Sequence, residues 1–434
     1  MSVLQTVAGI NSNSSGVDIG DNIANSLMLD SASSQYLSKT FAGAGNRRTF
    51  TINWKGKRGK LGVTQSIADA AVGGSEDRIS FNSDDTLWVG FNGVTYYVKT
   101  NRVFRDPAAW LDITIRVDTT DATPANRIRA YEGQTELTYS ATNYMAQNYD
   151  CGFNNTVAHS IGRAAAAQYF DGYLTAYRMI AGSSLAPTDF NRVSADTGQV
   201  VNKTYAGSYA GTNSYYLDFA NSADLGNDVS GNNNDWTLNG GISSANQYTD
   251  TPTNSYAVLN PLAKATNVTI AVGNTAAYSS SGWTTTPSTL AIPATGIWYF
   301  EWVYTSSTPA AECGICTAVS GSAAQLGSLA TGYSYNYNGT KYNNGSGVAY
   351  GATYTTGDVI GVELNMNTGA LTFFKNNATQ GTAYTVSTSL QYYFATSSAT
   401  STAGQAPVSR FDTARFSYPT RSSGALALCT ANLP

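Results

Sequence analysis

The sequence predicts an all-β protein: two antiparallel β-sandwich (jelly-roll) domains joined by an ordered, loop-rich connector. Three observations predict it. Charged residues are only 12% of the 434 residues, against the usual quarter, and Gly, Tyr, Ser, Thr and Asn fill their place. β-Branched and aromatic residues are frequent, and these suit a pleated, half-buried surface. Apolar and polar residues alternate with a period of two in run after run, with Gly, Asn, Asp and Pro between the runs. A chain of this length holds two to three domains of ~100–200 residues each. Its cores therefore need no disulfides or metals to fold.

Residues 1–24 are polar and weakly patterned. They read as a docking arm ordered only against a partner, or equally as a frayed terminus. Residues 25–195 read as the first sandwich. SLMLD, QYLSKTF and TFTINWKGKRG are successive strand candidates. Residues 85–100 read as two strands around Asn92-Gly93, whose residues accept the positive φ of a tight turn. In WLDITIRVD, Leu111, Ile113, Ile115 and Val117 face inward, with RIRAYEG as partner strand. HSIGR and YFDGYLTAYRMIAG add strands, and SLAPTDF reads as one helical turn capped by Ser184 or Thr188, with Pro187 in its first turn.

Residues 196–262 are rich in Gly, Asn, Asp, Ser and Thr and read as the connector. The strand candidate YYLDF and the anchor Trp236 make it packed rather than loose. Residues 263–434 read as the second sandwich. Val268, Ile270 and Val272 alternate, and GIWYFEWVYTS and ECGICTAV follow as strands. The clearest hairpin lies at residues 357–377. Ile360, Val362, Leu364 and Met366 share a face, Asn367-Thr368-Gly369 turns the chain, and Leu371 and Phe373 face one way on the return.

Several function classes are disfavoured. The net charge of −4 offers nothing to a phosphate backbone, so nucleic acid is not expected as a partner. No apolar run approaches the ~20 residues that cross a bilayer, and residues 1–16 lack the basic and apolar regions of a secretory signal. Four cysteines make no framework in so long a chain and are expected to be reduced. His159, the sole histidine, would have to carry any Ser-His-Asp or Cys-His mechanism, yet it sits in a strand without a nucleophile motif. Cys313 and Cys316 have CxxC spacing but no second pair to complete a zinc site. Glycan cleavage needs two positioned carboxylates; Glu132 and Glu136 flank a turn, and the adjacent Glu76 and Asp77 point apart. No catalytic residue and no metal site is assigned. Calcium is a weaker alternative, with Asp18, Asp21, Asp30 and Asp171 as available oxygen donors. The basic residues Arg47, Arg48, Lys55, Lys57, Arg58 and Lys60 read as a solvated loop, or else as a contact for an anionic glycan or acidic subunit.

The best binding candidates are Tyr333, Tyr335, Tyr337, Tyr342, Tyr350 and Tyr354, set among Asn and Gly. Aromatic faces stack on sugars and also suit protein interfaces. The alternation puts Tyr333, Tyr335 and Tyr337 on one face of a strand. Core, subunit interface and ligand surface all remain open for that face.

Three resemblances rest on these residues. "Gly-Asp-Val-Ile-Gly-Val", the turn and "Leu-Thr-Phe-Phe-Lys-Asn" resemble the central hairpin of SPRY domains, and GIWYFEW and ECGIC resemble strands ahead of it. This implies a β-sandwich binding module. The motifs SQYL, FTINW, WLDITIRVD, RIRAYEG, HSIG and FDGYL, in that order, resemble the laminin-G-like, concanavalin-type sandwich over residues 25–195. Many relatives carry an acidic pair where this chain has Thr175 and Ala176. The stretch from Leu217-Asp218-Phe219 through DVSGNNNDW and DTPTNSY to Leu259-Asn260-Pro261-Leu262 resembles a junction in tailed-phage virion proteins. Together they imply a non-enzymatic virion structural protein assembled in the host cytoplasm. It would be a tail fibre or appendage that binds host surface polysaccharide or a receptor. Residues 1–24 would dock it to other virion proteins, and fibre symmetry makes a homotrimer the expected assembly. The alternatives are a capsid decoration or head-fibre protein with a scaffolding role, and a glycan depolymerase.

Overall fold

The computed structural model describes residues 18–434 apart from 73–74, 94, 165–167, 306–309, 319–320, 400, 403–405 and 419–423. Most of the expected docking arm, residues 1–17, lies outside the described residues. The described chain is all-β, with short 3-10 turns and no α-helix. Its described residues divide into two compact units, 18–253 and 254–434.

The first unit is a sandwich of two antiparallel sheets. One runs Thr135–Glu136, Ile128–Glu132, Leu111–Asp118, Thr49–Arg58, Gly172–Ala181, Ser26–Leu29 and Gln247–Tyr248, with Tyr215–Leu217 also paired to Gly172–Ala181. The other runs Tyr139–Asn143, Tyr96–Val103, Thr86–Phe91, Ser75–Phe81, Gln65–Val72, Ala158–Ile161, Tyr36–Thr40 and Thr237–Asn239. Phe50, Ile52, Trp54, Ile113 and Ile115 of the first sheet share a core with Ile79, Phe81, Val89 and Phe91 of the second. The Asn92-Gly93 turn has positive φ at both residues, 54° and 69°, as the hairpin reading requires.

Four expectations need correction. The strands Gln65–Val72 and Ser75–Phe81 were not expected, because one face of each carries only small or polar residues and the alternation is weak. Lys55, Lys57 and Arg58 are not in a solvated loop; they lie within the Thr49–Arg58 strand, each 1–2% exposed. Lys55 meets Asp112 at 2.7 Å, Lys57 meets Asp250 at 2.8 Å and Arg58 meets Asp85 at 3.1 Å. A charge leaves water only where a partner and hydrogen bonds compensate it; Asp112 comes from the neighbouring strand, and Asp85 and Asp250 come from loops far away in sequence. Residues 196–253, expected in the connector, contribute Tyr215–Leu217, Thr237–Asn239 and Gln247–Tyr248 to the sheets of the first unit, with Trp236 buried. The turn after Ser184 is a single 3-10 turn, Pro187–Asp189. Its cap is the Asp189 carboxylate, which accepts from the Ala186 N–H at 3.0 Å, rather than Ser184 or Thr188.

In the second unit one sheet runs Val268–Ala271, Ala276–Ser279, Val408–Arg410, Ile297–Val303, Val359–Asn365, Ala370–Lys375 and Ala378–Thr385. Ala425–Ala427 pairs in parallel with Ile297–Val303. The other sheet runs Thr284–Pro287, Tyr393–Ser398, Ala311–Cys316, Gly332–Asn336, Thr340–Asn343 and Ser346–Ala349. The hairpin read at residues 357–377 pairs Val362 with Phe373 and Leu364 with Leu371, and all four are buried. They pack with Trp298, Phe300 and Trp302 against Cys313, Ile315, Tyr335 and Phe394.

Candidate binding surfaces

The six tyrosines singled out in the sequence do not form one surface. Tyr335 is fully buried and Tyr354 is 1% exposed. The Tyr354 hydroxyl donates to the Tyr335 carbonyl at 2.9 Å, and the Tyr335 hydroxyl donates to the Ala352 carbonyl. Tyr335 packs edge-on to Tyr354 at 5.2 Å and to Tyr350 at 5.4 Å. Both are core residues and give a ligand nothing to touch. Tyr333 and Tyr337 pack half-buried against the same core, which settles the shared face as an inward one. Tyr342 lies on the neighbouring strand, its ring close over Gly347. Tyr350 keeps an exposed edge. Lys341 Nζ sits 5.4 Å from the centre of its ring and 4.8 Å from that of Tyr384, a cation held between two π faces.

A second arrangement was missed in the sequence, on the outer face of the second sheet of the first unit. Strand register places Tyr97, Gly90, Arg78, Asp69, Ser160 and Ser38 side by side across six strands. The adjacent row, Val98, Val89, Ile79, Ala68, Ile161 and Leu37, belongs to the core. Since side chains alternate, the row containing Asp69 faces outward. Trp88 leans over Gly90, where an added Cβ would lie 1.8 Å from the ring. Glycine there is a space requirement. The Trp88 ring is stacked on Tyr97 at 6.1 Å, with the Arg78 guanidinium 5.0 Å from its centre. At the other end Arg163 lies 4.2 Å over Tyr36, beside Tyr169.

Between these aromatic–cation groups lies a polar floor. Asp69 is 5% exposed, and its Oδ1 is buried without a hydrogen-bond partner. The same is true of Ser80 Oγ, Arg78 Nε and Arg163 Nε. Arg78 donates to Gln168 Oε1 at 2.6 Å. Burial, with the charge of Glu76 adding to it, pushes the Asp69 carboxyl up to about 7, against the pull of Arg163 and Arg78. Buried polar groups are normally satisfied, so these four atoms keep hydrogen-bonding capacity that no side chain or backbone group of the described residues uses. A carboxyl, serine hydroxyls and guanidinium groups between aromatic side chains suit a polyhydroxylated ligand. Arg78, Tyr97 and Ser38 are half-exposed and form its approach.

The other residues considered for chemistry are placed in structural roles. His159 is buried, its ring 4.9 Å from that of Phe41, and burial lowers its pKa to about 4. Cys313 and Cys316 are buried in the Ala311–Cys316 strand, and burial pushes the Cys316 thiol up to about 12. Asp77 points inward and accepts from the Asn92 N–H at 2.9 Å, while Glu76 points toward Arg78. Asp18 and Asp21 pair with Arg192 at 2.7 and 3.3 Å. Asp30 caps a 3-10 turn, and Asp171 accepts from the Ser31 hydroxyl at 3.0 Å. Among the described residues no three His, Cys, Asp or Glu side chains gather as a metal site.

Comparison with known proteins bears on the second unit. The chain is similar to the SPRY domain of human HERC1, at 15% identity over 35% of this chain and 96% of that one, with a TM-score of 0.32. No curated protein matches it. Residues 297–409 match the family model described as SPRY domain. The stretch from the Ile297–Val303 strand to Val408–Arg410, part of an antiparallel β-sandwich, is thus similar to SPRY domains.

Proposed function

We propose that this protein is a non-enzymatic structural component of a tailed-phage virion, a tail fibre or similar appendage that binds host surface polysaccharide. The observation that carries the binding role is the outward row through Arg78, Asp69 and Ser160, with its unsatisfied polar atoms and flanking aromatic side chains. The place on a virion rests on the likeness of the stretch from Leu217 to Leu262 to a phage junction. The SPRY-like stretch adds a second binding module by analogy, since fold alone does not assign function. In a trimer the row would be presented three times, and multivalency would raise avidity without any new contact.

The test is binding of purified protein to host cells and to their extracted surface polysaccharide, with competition against phage adsorption. Specific binding that Arg78→Ala weakens by about tenfold or more supports the reading. Absence of binding, together with no effect on adsorption, overturns it. Immunogold label on the head rather than the tail would favour a decoration protein. Release of oligosaccharides would make it a depolymerase.

A further inference from the structure

Independently of that reading, one buried cluster in the first unit has the composition of an acyl-transfer site. Lys55 of the Thr49–Arg58 strand faces Asp112 of Leu111–Asp118 in direct register, with Nζ 2.7 Å from Oδ2. The same Oδ2 accepts from Asn191 Nδ2 at 3.0 Å. Asn191 belongs to the Asn191–Val193 strand and is fully buried; its Nδ2 also donates to the Gly133 carbonyl at 3.2 Å. The other carboxylate oxygen, Oδ1, takes Asn53 Nδ2 at 3.1 Å. Lys55 and Asn191 thus both bind one oxygen of one carboxylate, and both of their own side chains are buried.

We infer that Lys55 and Asn191 are joined by an intramolecular isopeptide bond, formed by the protein itself with Asp112 as the proton carrier. The Asp112 carboxylate takes a proton from the Lys55 ammonium. The freed Nζ lone pair adds to Asn191 Cγ, and its second proton passes by way of Asp112 to the amide nitrogen. The Cγ–Nδ2 bond breaks, ammonia leaves, and Cγ–Nζ remains as a secondary amide. Nothing is oxidised or reduced, and no co-reactant is needed. The oxygen that receives the proton already contacts the nitrogen that must depart, which is the geometry general acid–base catalysis asks for. Fixing both reactants in a folded core replaces a bimolecular encounter with a unimolecular step.

The surroundings favour the reaction. Burial depresses the Lys55 pKa, and the charge of Arg178 works in the same direction against the pull of Asp112. A desolvated lysine near a second cation is a better nucleophile than one in water. The same positive field favours the oxyanion that forms on Asn191 during addition. Asn191 Oδ1, where that charge develops, is buried with no hydrogen-bond partner. The product removes a charged amine from a site where its side chain is only 3% exposed.

Intact-mass measurement of the purified full chain tests this directly. The expected mass is about 17 Da below that of the sequence, the loss of one ammonia. Tryptic digestion is expected to leave the chain uncut after residue 55 and to give a branched peptide linking residues 55 and 191. Lys55→Arg is expected to restore the sequence mass. An unshifted wild-type mass overturns the inference, and it does so without any variant having to fold. A loss of about 18 Da with a link from Lys55 to Asp112 overturns it as well, since the carboxylate would then be the acyl group. So does a 17 Da loss with no branched peptide, which would place the ammonia loss elsewhere.

Discussion

The Arg58–Asp85 pair offers a sharp test of how the first sandwich is held together. Both side chains are almost wholly buried, at 1% and 4% exposure. The Arg58 guanidinium lies 4.4 Å over Phe81 and donates to the Phe104 carbonyl at 2.6 Å. Asp85 also takes Arg105 Nε at 2.8 Å and the Gly62 N–H at 2.8 Å. Asp85 has a φ of +64°, a backbone state that Asn adopts nearly as readily. Asp85→Asn therefore removes the charge while keeping size and backbone. The guanidinium would then face a neutral amide in the core, at an expected cost of about 3–5 kcal/mol. Arg58→Met combined with Asp85→Asn should recover most of that loss, because an apolar side chain needs no counter-charge. Urea unfolding followed by tryptophan fluorescence gives both free energies. A single-variant cost below about 1 kcal/mol, or a double variant no better than the single, would refute this account of the pair.

Three further outcomes are expected. Leu364→Ala, in the hairpin at the centre of the second core, should cost about 2–5 kcal/mol in the unfolding of that unit, read by calorimetry. His159 has a folded pKa near 4 against an ordinary 6.5, so its contribution to stability is full above pH 6.5 and is lost as pH falls through 4. The wild type should lose about 3 kcal/mol more than His159→Phe between pH 7 and pH 4 in paired denaturation curves. Gly90→Leu should displace Trp88 from its place beside Arg78 and Tyr97, shift the tryptophan emission to the red, and weaken polysaccharide binding measured by calorimetric titration.

What could be read from the sequence was whatever repeats over short distances. The hairpins at 85–100 and 357–377 were legible because alternation and turn residues both lie within about twenty positions. The buried cations were not. Lys57 meets Asp250 and Arg58 meets Asp85, so the compensating charges lie on loops distant in sequence, and a run of Lys and Arg by itself looks solvated. The row through Asp69 was hidden for the same reason, each member being supplied by a different strand. Trp88 beside Gly90 was its one local trace, since a glycine inside an apolar strand marks a close approach. For Tyr333, Tyr335 and Tyr337 the sequence made the strand legible but left open which face the core would take. Tyr335 and Tyr354 turned out to be packing residues, each hydroxyl satisfied by a backbone carbonyl.

Each unit pairs an early strand with a late one. Ser26 is opposite Tyr248 in the first, and Trp298 lies beside Leu426 in the second. During synthesis Ser26–Leu29 has therefore left the ribosome more than two hundred residues before its outer neighbour is made, at ~5–20 residues per second. Through that interval the sheet keeps an open edge, where strands of other nascent chains can add. Such distant pairing also slows folding, because loop-closure entropy must be overcome before the contacts form. Yield in recombinant expression should thus depend more on temperature and on chaperone supply than on the stability of the finished fold. Chains cut short of Tyr248 or of Leu426 should aggregate rather than accumulate as partial domains.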